Sequence, residues 1–370
     1  MNATAMSSSK AYSNTISQRV MKPLDTDVFV AARERVRATF NDYDKVVVSY
    51  SGGKDSTCVL ELAIEVAREL GKLPVDVMHF DEEILLPETV DMIMRARERP
   101  EVNLTWVCGQ VGYWDASSNE QPHWTTWDPA KRDVWVRQPP EFAVWMGQMK
   151  YPAPGDAIAR LWGPEHGRVA EILGLRGYES RPRMYGIISS GGYIAKGPAP
   201  HVDKVRPIYD WRDKDVWLAI HRFGWDYNKA YDRMYRLGRS PKELRIAVPT
   251  SIEAINMWDD WQLLEPKFWG RVRRRFPNIH SLAMFNKDLH RPVRKEGESW
   301  QQAVYRYLDA NLVEDHKKVE GDLNKVLRAH SRHSTQPMHE TRPCPLCRFN
   351  WKKLARIAMF GNPGNRLTIK

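Results

Sequence analysis

Cysteine is scarce: the chain has 370 residues and four cysteines, of which only Cys344 and Cys347 lie close together. That excludes a disulfide scaffold and favours a reducing cytoplasm. No run of about 18 apolar residues occurs, which excludes a transmembrane helix and a membrane partner. The first ten residues hold no apolar core segment, so no secretory signal is expected. Internal repeats and low-complexity tracts are also missing. Acid is outnumbered: 56 Lys and Arg face 46 Asp and Glu, a formal charge of +10. Such a balance favours anionic partners, nucleotides or nucleic acid. Hydrophobic residues at 42% and charged residues at 28% exclude wholesale disorder. The length suits two domains, or one large domain with an appendage. Nothing in the chain speaks to oligomeric state.

Residues 1–24 are rich in Ser, Asn and Thr and are expected to form a flexible N-terminus. Val28, Ala31, Ala32, Val36 and Phe40 then recur at helical spacing. Lys45-Val46-Val47-Val48-Ser49-Tyr50 has the β-branched composition of a buried strand. From Cys58 to Leu70 the apolar positions predict a helix that stops at Gly71. The pattern repeats with strands at Val75–Phe80 and Val102–Val107 around a helix at Thr89–Arg97. A fourth helical stretch ending before Leu173 and a fourth strand at Met184–Ile188 complete the expected series. The alternation predicts an α/β fold, a parallel twisted sheet with helices on both faces.

Between residues 112 and 167 the periodicity fades and Trp114, Trp124, Trp127, Trp135, Trp145 and Trp162 accumulate. This stretch reads as an insertion outside the core. Its aromatics form either a binding surface or the packing of a small subdomain. Beyond about residue 240 the alternation stops. Ile252–Trp269, Trp300–Leu312 and His316–His330 read as helices, so residues 25–240 form the α/β domain and 241–370 a helical, basic C-terminal region.

The most informative residues are Ser51-Gly52-Gly53-Lys54-Asp55-Ser56-Thr57, set between the first strand and its helix. Glycines let backbone N–H groups approach a ligand, and a helix N-terminus adds free donors and positive partial charge. Ser51, Ser56 and Thr57 add hydroxyls and Lys54 a cation, so the segment is an anion cradle for phosphates. It is not a Walker A loop, because position 48 is Val where that pattern needs Gly. Asp55 suits a divalent cation, commonly Mg²⁺, bridging phosphate and carboxylate.

This segment is similar to the Ser-Gly-Gly-x-Asp-Ser loop of the PP-loop ATP pyrophosphatases. More narrowly it resembles the phosphoadenosine phosphosulfate (PAPS) reductase branch. Further blocks follow in the order that resemblance requires. Phe80-Asp81-Glu82-Glu83 with Leu86-Pro87-Glu88-Thr89 resembles the family's acidic strand end and the start of its next helix. Asp81 is expected to hold a ribose hydroxyl or a metal. Glu82 and Glu83 read equally as an acidic cluster at a helix N-terminus. Gly174, Arg176, Ser180 and Arg183 match the family's Gly-x-Arg-x-x-x-Ser-x-x-Arg segment. Arg176 and Arg183 are candidates to grip the phosphate or sulfate of a second substrate, or else solvated surface arginines. Pro207 to Trp217 resembles a third family block whose role is expected to be structural, with Asp213 capping a helix. The resemblance covers residues 28 to 240. It implies an adenine nucleotide alpha hydrolase-like fold, ATP (or PAPS or adenylylsulfate) with Mg²⁺ as ligand, and chemistry at the α-phosphate. Lys54, Asp55, Arg176 and Arg183 are the candidate catalytic residues. Ser51 to Thr57, Asp81 and Ser180 are the candidate nucleotide contacts.

The Glu-Cys-Gly-x-His context of the reductases' nucleophilic cysteine is missing. Adenylyl transfer with pyrophosphate release, linked to sulfur or nucleic-acid modification, is therefore expected ahead of sulfonucleotide reduction. A nucleotide-sensing regulator or defence component without turnover is the remaining reading. Cys344 and Cys347 with two of His330, His333 and His339, taken as His333 and His339, would make a structural Zn²⁺ site. A redox pair, or two cysteines without a role, are the alternatives. Lys267, Arg271, Arg273, Arg274, Arg275, Lys287, Arg291, Arg294 and Lys295, interleaved with Trp269 and Phe276, read as a nucleic-acid surface or a solvated basic face. The basic C-terminal region could equally meet a protein partner.

Overall fold

In the computed structural model, residues 25–115, 123–241, 243–251, 254, 257–279, 292–310 and 316–360 are described. The N-terminal segment and the cations Lys287, Arg291 and Arg366 lie outside the described residues. The chain divides into two compact units. One is Met1–Tyr113, Thr125–Pro249 and Met257–Arg275, and the other is Trp114–Trp124, Thr250–Asn256 and Phe276–Lys370. Among the described residues, no helix is long and apolar enough to cross a membrane.

The first unit opens with α1 (Val28–Asp42), β1 (Lys45–Ser49), α2 (Lys54–Glu69), β2 (Val75–Asp81), α3 (Pro87–Arg97) and β3 (Val102–Gln110). Two short strands, β4 (Gly112–Trp114) and β5 (His123–Thr125), follow. Then come β6 (Val144–Gln148), α4 (Ala153–Leu161), β7 (Val169–Leu173), α5 (Arg181–Ser189), β8 (Ile194–Lys196) and β9 (Val202–Val205). Helices α6 (Asp213–Phe223), α7 (Ala230–Arg236), α8 (Trp258–Leu264) and α9 (Pro266–Arg275) complete it. The second unit contains α10 (Trp300–Asp309), α11 (His316–His333) and α12 (Trp351–Phe360). Their apolar faces meet in a small core that includes Val304, Leu308, Leu323, Val326 and Leu354.

Seven strands form one sheet in the order β6-β3-β2-β1-β7-β9-β8. All neighbours are parallel except the β8/β9 pair at one edge. Strand β1 is central. Val46 and Val48 pack into one apolar cluster with Leu60 and Ile64 of α2. Val47 packs into another with Ala157 and Ile158 of α4. Alternate side chains of one strand therefore feed cores on both faces, which is why a central parallel strand reads as an unbroken apolar run. From β1 the chain builds outward through β2 and β3, then returns to β7 on the other side of β1. The gap outside the carboxyl ends of β1 and β7 is a topological switch point, where α/β sheets open a crevice for ligands.

Three expectations differ from what is found. Residues Val169–Leu173, expected to end a helical stretch, form strand β7, while Met184–Ile188 lies inside α5, started by the Ser180 N-cap and Pro182 in the first turn. Residues 112–167 are not carried outside the core. They supply β6, which pairs with β3, and bury Trp127 and Trp135 in the main apolar cluster. Of Trp124, Trp127, Trp135, Trp145 and Trp162, Trp145 is the markedly exposed one, at 46%. The expected single helix over 252–269 is divided: Glu265 leaves helical geometry between α8 and α9.

Gly174 follows β7 directly and touches the start of α2. A Cβ placed there would meet the carbonyl carbon of Asp55 and the amide nitrogen of Ser56, both at 2.6 Å. Backbone cannot swing aside, so overpacking at this position costs about 1–3 kcal/mol or more. Gly186, inside α5, has open space at its Cβ direction. There an alanine should stabilise by about 0.5–1 kcal/mol. Denaturant unfolding of Gly174→Ala and Gly186→Ala should move in opposite directions. A Gly174→Ala protein as stable as the parent would mean that the two elements do not meet at this contact.

Candidate functional site

The Ser51–Thr57 loop leaves β1 at the switch point. Gly52 takes a left-handed φ of 71°, and a side chain there would press on Ile93 Cγ1 at 3.0 Å. Gly53 starts α2 as an N-cap without a side-chain cap. The loop's hydroxyls brace it from inside. Ser56 Oγ donates to the Gly53 carbonyl at 2.9 Å and lies 3.1 Å from Ser51 Oγ, while Thr57 Oγ1 donates to the same carbonyl at 3.0 Å. The amides of Gly52, Asp55 and Ser56 donate to no acceptor among the described residues. Unpaired backbone donors at a helix N-terminus suit an anion.

Other elements fix the loop from behind. Asn228 is buried and donates to the Gly52 carbonyl at 3.3 Å and to Thr89 Oγ1 at 2.9 Å. Tyr231 on α7 accepts from the Lys54 amide at 3.1 Å. Burial pushes the Tyr231 phenol up, so it stays protonated and its O–H stays a donor. Neither residue is among the candidates read from the sequence, yet both are contacts of the loop; the available sign is the polar Asn228 beside the aromatic Tyr227 and Tyr231.

The charged residues form a chain of pairs. Lys54 is 3% exposed, with Nζ 3.2 Å from Asp55 Oδ2 and 5.6 Å from the centre of the Tyr231 ring. Arg176 is fully buried. Its Nε donates to Asp55 Oδ1 and its Nη2 to Asp213 Oδ1 at 2.9 Å, while Nη1 has no partner among the described residues. Asp213 thus pairs with Arg176 and not with the N-terminus of α6, which Asp215 serves through the Arg212 amide at 2.7 Å. Arg183 is 47% exposed and pairs with Glu179. Ser180 Oγ accepts from the Arg183 amide at 3.4 Å as the cap of α5. Neither arginine is simply a solvated surface cation.

Asp81, at the end of β2, is a buried hub. Oδ2 accepts from Trp106 Nε1 at 2.8 Å and Cys108 Sγ at 3.6 Å; Oδ1 accepts from the Glu83 amide at 2.9 Å and from Arg137. Glu83 is equally buried. It accepts from the Trp127 amide at 2.8 Å and from Arg275 Nε at 2.9 Å. The two carboxylates offered by the sequence for Mg²⁺, Asp55 and Asp81, therefore have every oxygen paired. They do not fit a direct metal ligand, so charge compensation in the loop falls to Lys54, Arg176 and the amides.

Cys58 and Cys108 are buried, and burial pushes both thiols up. Cys344, Cys347, His333 and His330 come together, with one ligand atom from each lying within 4.8 Å of the others. His339 is not among them; its Nδ1 accepts the amides of Thr341 and Arg342 at 3.1 and 2.8 Å. The aromatics of the basic stretch are unavailable for stacking. Phe268 and Trp269 are buried with Val272 because α9 turns its apolar face inward, and Phe276, beyond the end of α9, is buried as well. Arg275 is committed to Glu83.

The chain matches the phosphoadenosine phosphosulfate reductase domain over residues 45–241, just over half its length. It is 29% identical over 329 residues to the uncharacterized protein YbdN of Escherichia coli (strain K12), covering 82% of this chain and 79% of YbdN. Among solved structures it is similar to the PAPS reductase of Candida auris in a phosphate complex, with 15% identity, 60% of this chain and 89% of that one covered, and a TM-score of 0.37. It is also similar to the FMN adenylyltransferase of Candida glabrata in complex with ATP, with 13% identity, 59% and 64% covered, and a TM-score of 0.36. Glycine loop, arginine-bearing turn and switch-point placement agree with the matched region, and the chain belongs to the phosphoadenosine phosphosulfate reductase domain family.

Proposed function

We propose that the chain is an enzyme that binds ATP, or a closely related adenine nucleotide, in the Ser51–Thr57 loop and transfers its adenylyl group with release of pyrophosphate. The observation that carries this is the set of unpaired amides at Gly52, Asp55 and Ser56, where β1 ends and α2 begins. In the reaction an acceptor oxygen attacks the α-phosphorus, the bond from that phosphorus to the α–β bridging oxygen breaks, and pyrophosphate leaves with the electron pair. Lys54 and the loop amides are placed to hold the charge that builds on the departing phosphates. Tyr231 adds a neutral O–H at the same helix start. Arg176 acts by fixing Asp55, and the half-exposed Arg183 is placed to meet the second substrate. Burial makes Cys58 and Cys108 poor nucleophiles, so the reductase alternative would need Cys344 or Cys347 as its thiol.

Two measurements test this. In a thermal-shift series with nucleotides, ATP at about 100 times its Kd should stabilise the chain by about 2.7 kcal/mol. Lys54→Met should weaken ATP binding at least about tenfold, about 1.4 kcal/mol; unchanged affinity would remove Lys54 from the site. With ATP labelled at the α-phosphorus, label should pass to AMP or to an acceptor while pyrophosphate accumulates. Release of ADP and phosphate would contradict chemistry at the α-phosphate, and sulfite from PAPS with thioredoxin would favour the reductase reading.

A further inference from the structure

We propose that His330, His333, Cys344 and Cys347 bind one Zn²⁺ ion in a closed structural site of the second unit. The donor set is two thiols and two imidazoles, the composition Zn²⁺ takes in tetrahedral sites where all four ligands come from protein. Geometry points the same way. His330 Nδ1 lies 3.4 Å from Cys347 Sγ, and His333 Nε2 lies 3.5 Å from Cys344 Sγ. Metal–sulfur bonds of about 2.3 Å and metal–nitrogen bonds of about 2.0 Å, at tetrahedral angles, require sulfur–nitrogen separations of about 3.5 Å. All four donor atoms lie within 4.8 Å of one another, so a single centre can reach them with small side-chain adjustments.

The surroundings are arranged for ligation. His330 is buried, and its Nε2 is 3.2 Å from the Gln336 carbonyl. A proton on Nε2 donated to that carbonyl leaves the Nδ1 lone pair aimed at the cluster. Ligating histidines are ordinarily held this way, through the second ring nitrogen. The Cys344–Cys347 turn is closed by the Arg348 amide donating to the Cys344 carbonyl at 2.8 Å and the Cys344 amide donating to Phe349 at 2.9 Å. Arg348 takes a left-handed φ of 63°.

The site joins the last turn of α11 to the loop that enters α12. The apolar core these helices share with α10 is small, and metal binding contributes directly to folding in units of that kind. With four protein ligands no position is left open for substrate, which makes the role structural.

Elemental analysis of the full-length protein, purified without added chelator, should give one zinc per chain. Replacement of the zinc by Co²⁺ should give the intense visible spectrum of a tetrahedral ion with thiolate charge transfer. Cys344→Ser/Cys347→Ser and His330→Ala should each lose the metal, while His339→Ala should keep it. Zinc far below one per chain together with no cobalt spectrum in the folded parent protein would overturn the proposal. So would full metal occupancy in the double cysteine variant, or loss of metal in His339→Ala with retention in His330→Ala.

Discussion

The pairing of Arg176 with Asp55 fixes the rest of the site. Arg176 is fully buried, on the turn after β7, and its carboxylate partner lies in the first turn of α2. A buried cation is tolerable only when acids surround it, and removing one member of such a pair costs about 3–5 kcal/mol. The pair therefore ties the two sides of the switch point together. Gly174, two residues earlier, lets the chain pass against the Asp55 and Ser56 backbone with no side chain between. Tyr231 and Asn228 complete the enclosure by bonding loop backbone from the α7 side. With its rear satisfied by protein, the loop has its front amides left for a ligand.

That arrangement also decides how charge is shared. Lys54 and Arg176 both contact Asp55, so the carboxylate between them is neutralised by the protein itself. Asp81 is neutralised in the same manner by Arg137, and Glu83 by Arg275. Buried acids of this group thus hold strand ends and loops in place, and the helix start adds positive partial charge at the loop amides. The acidic strand end of β2 serves as a rigid floor. Its residues gather Trp106, Trp127 and Cys108 as hydrogen-bond donors, which holds Trp127 of the 112–167 stretch in the core.

Legibility followed the range of the interactions. The strand–loop–helix of residues 45–70 is a local device, with β-branched residues, two glycines and a helical stripe in one short segment, and it reads directly from sequence. Strand β7 does not, because Val169–Leu173 is short and gains its identity from pairing with β1 and β9. Arg176 was visible as a site residue, but its role was not. Its partner Asp55 is 121 positions away, and nothing local says that the guanidinium turns inward to it. His330 and His339 are both near the Cys-x-x-Cys in sequence. Only the helical offset of three between His330 and His333 puts two imidazoles on one face of α11, while His339 is used by its own turn. In the basic stretch α9 turns Trp269 inward, exposes Arg273 and Arg274 and commits Arg275 to Glu83, and composition alone does not separate these faces.

The central claim is that the amides of Gly52, Asp55 and Ser56 receive the phosphates of an adenine nucleotide. A crystal structure of the protein with a non-hydrolysable ATP analogue tests it most directly. The account predicts phosphate oxygens within hydrogen-bond distance of those three amides, with Gly174 and Tyr231 unmoved behind them. A nucleotide bound elsewhere, with none of those three amides in contact with it, would contradict it.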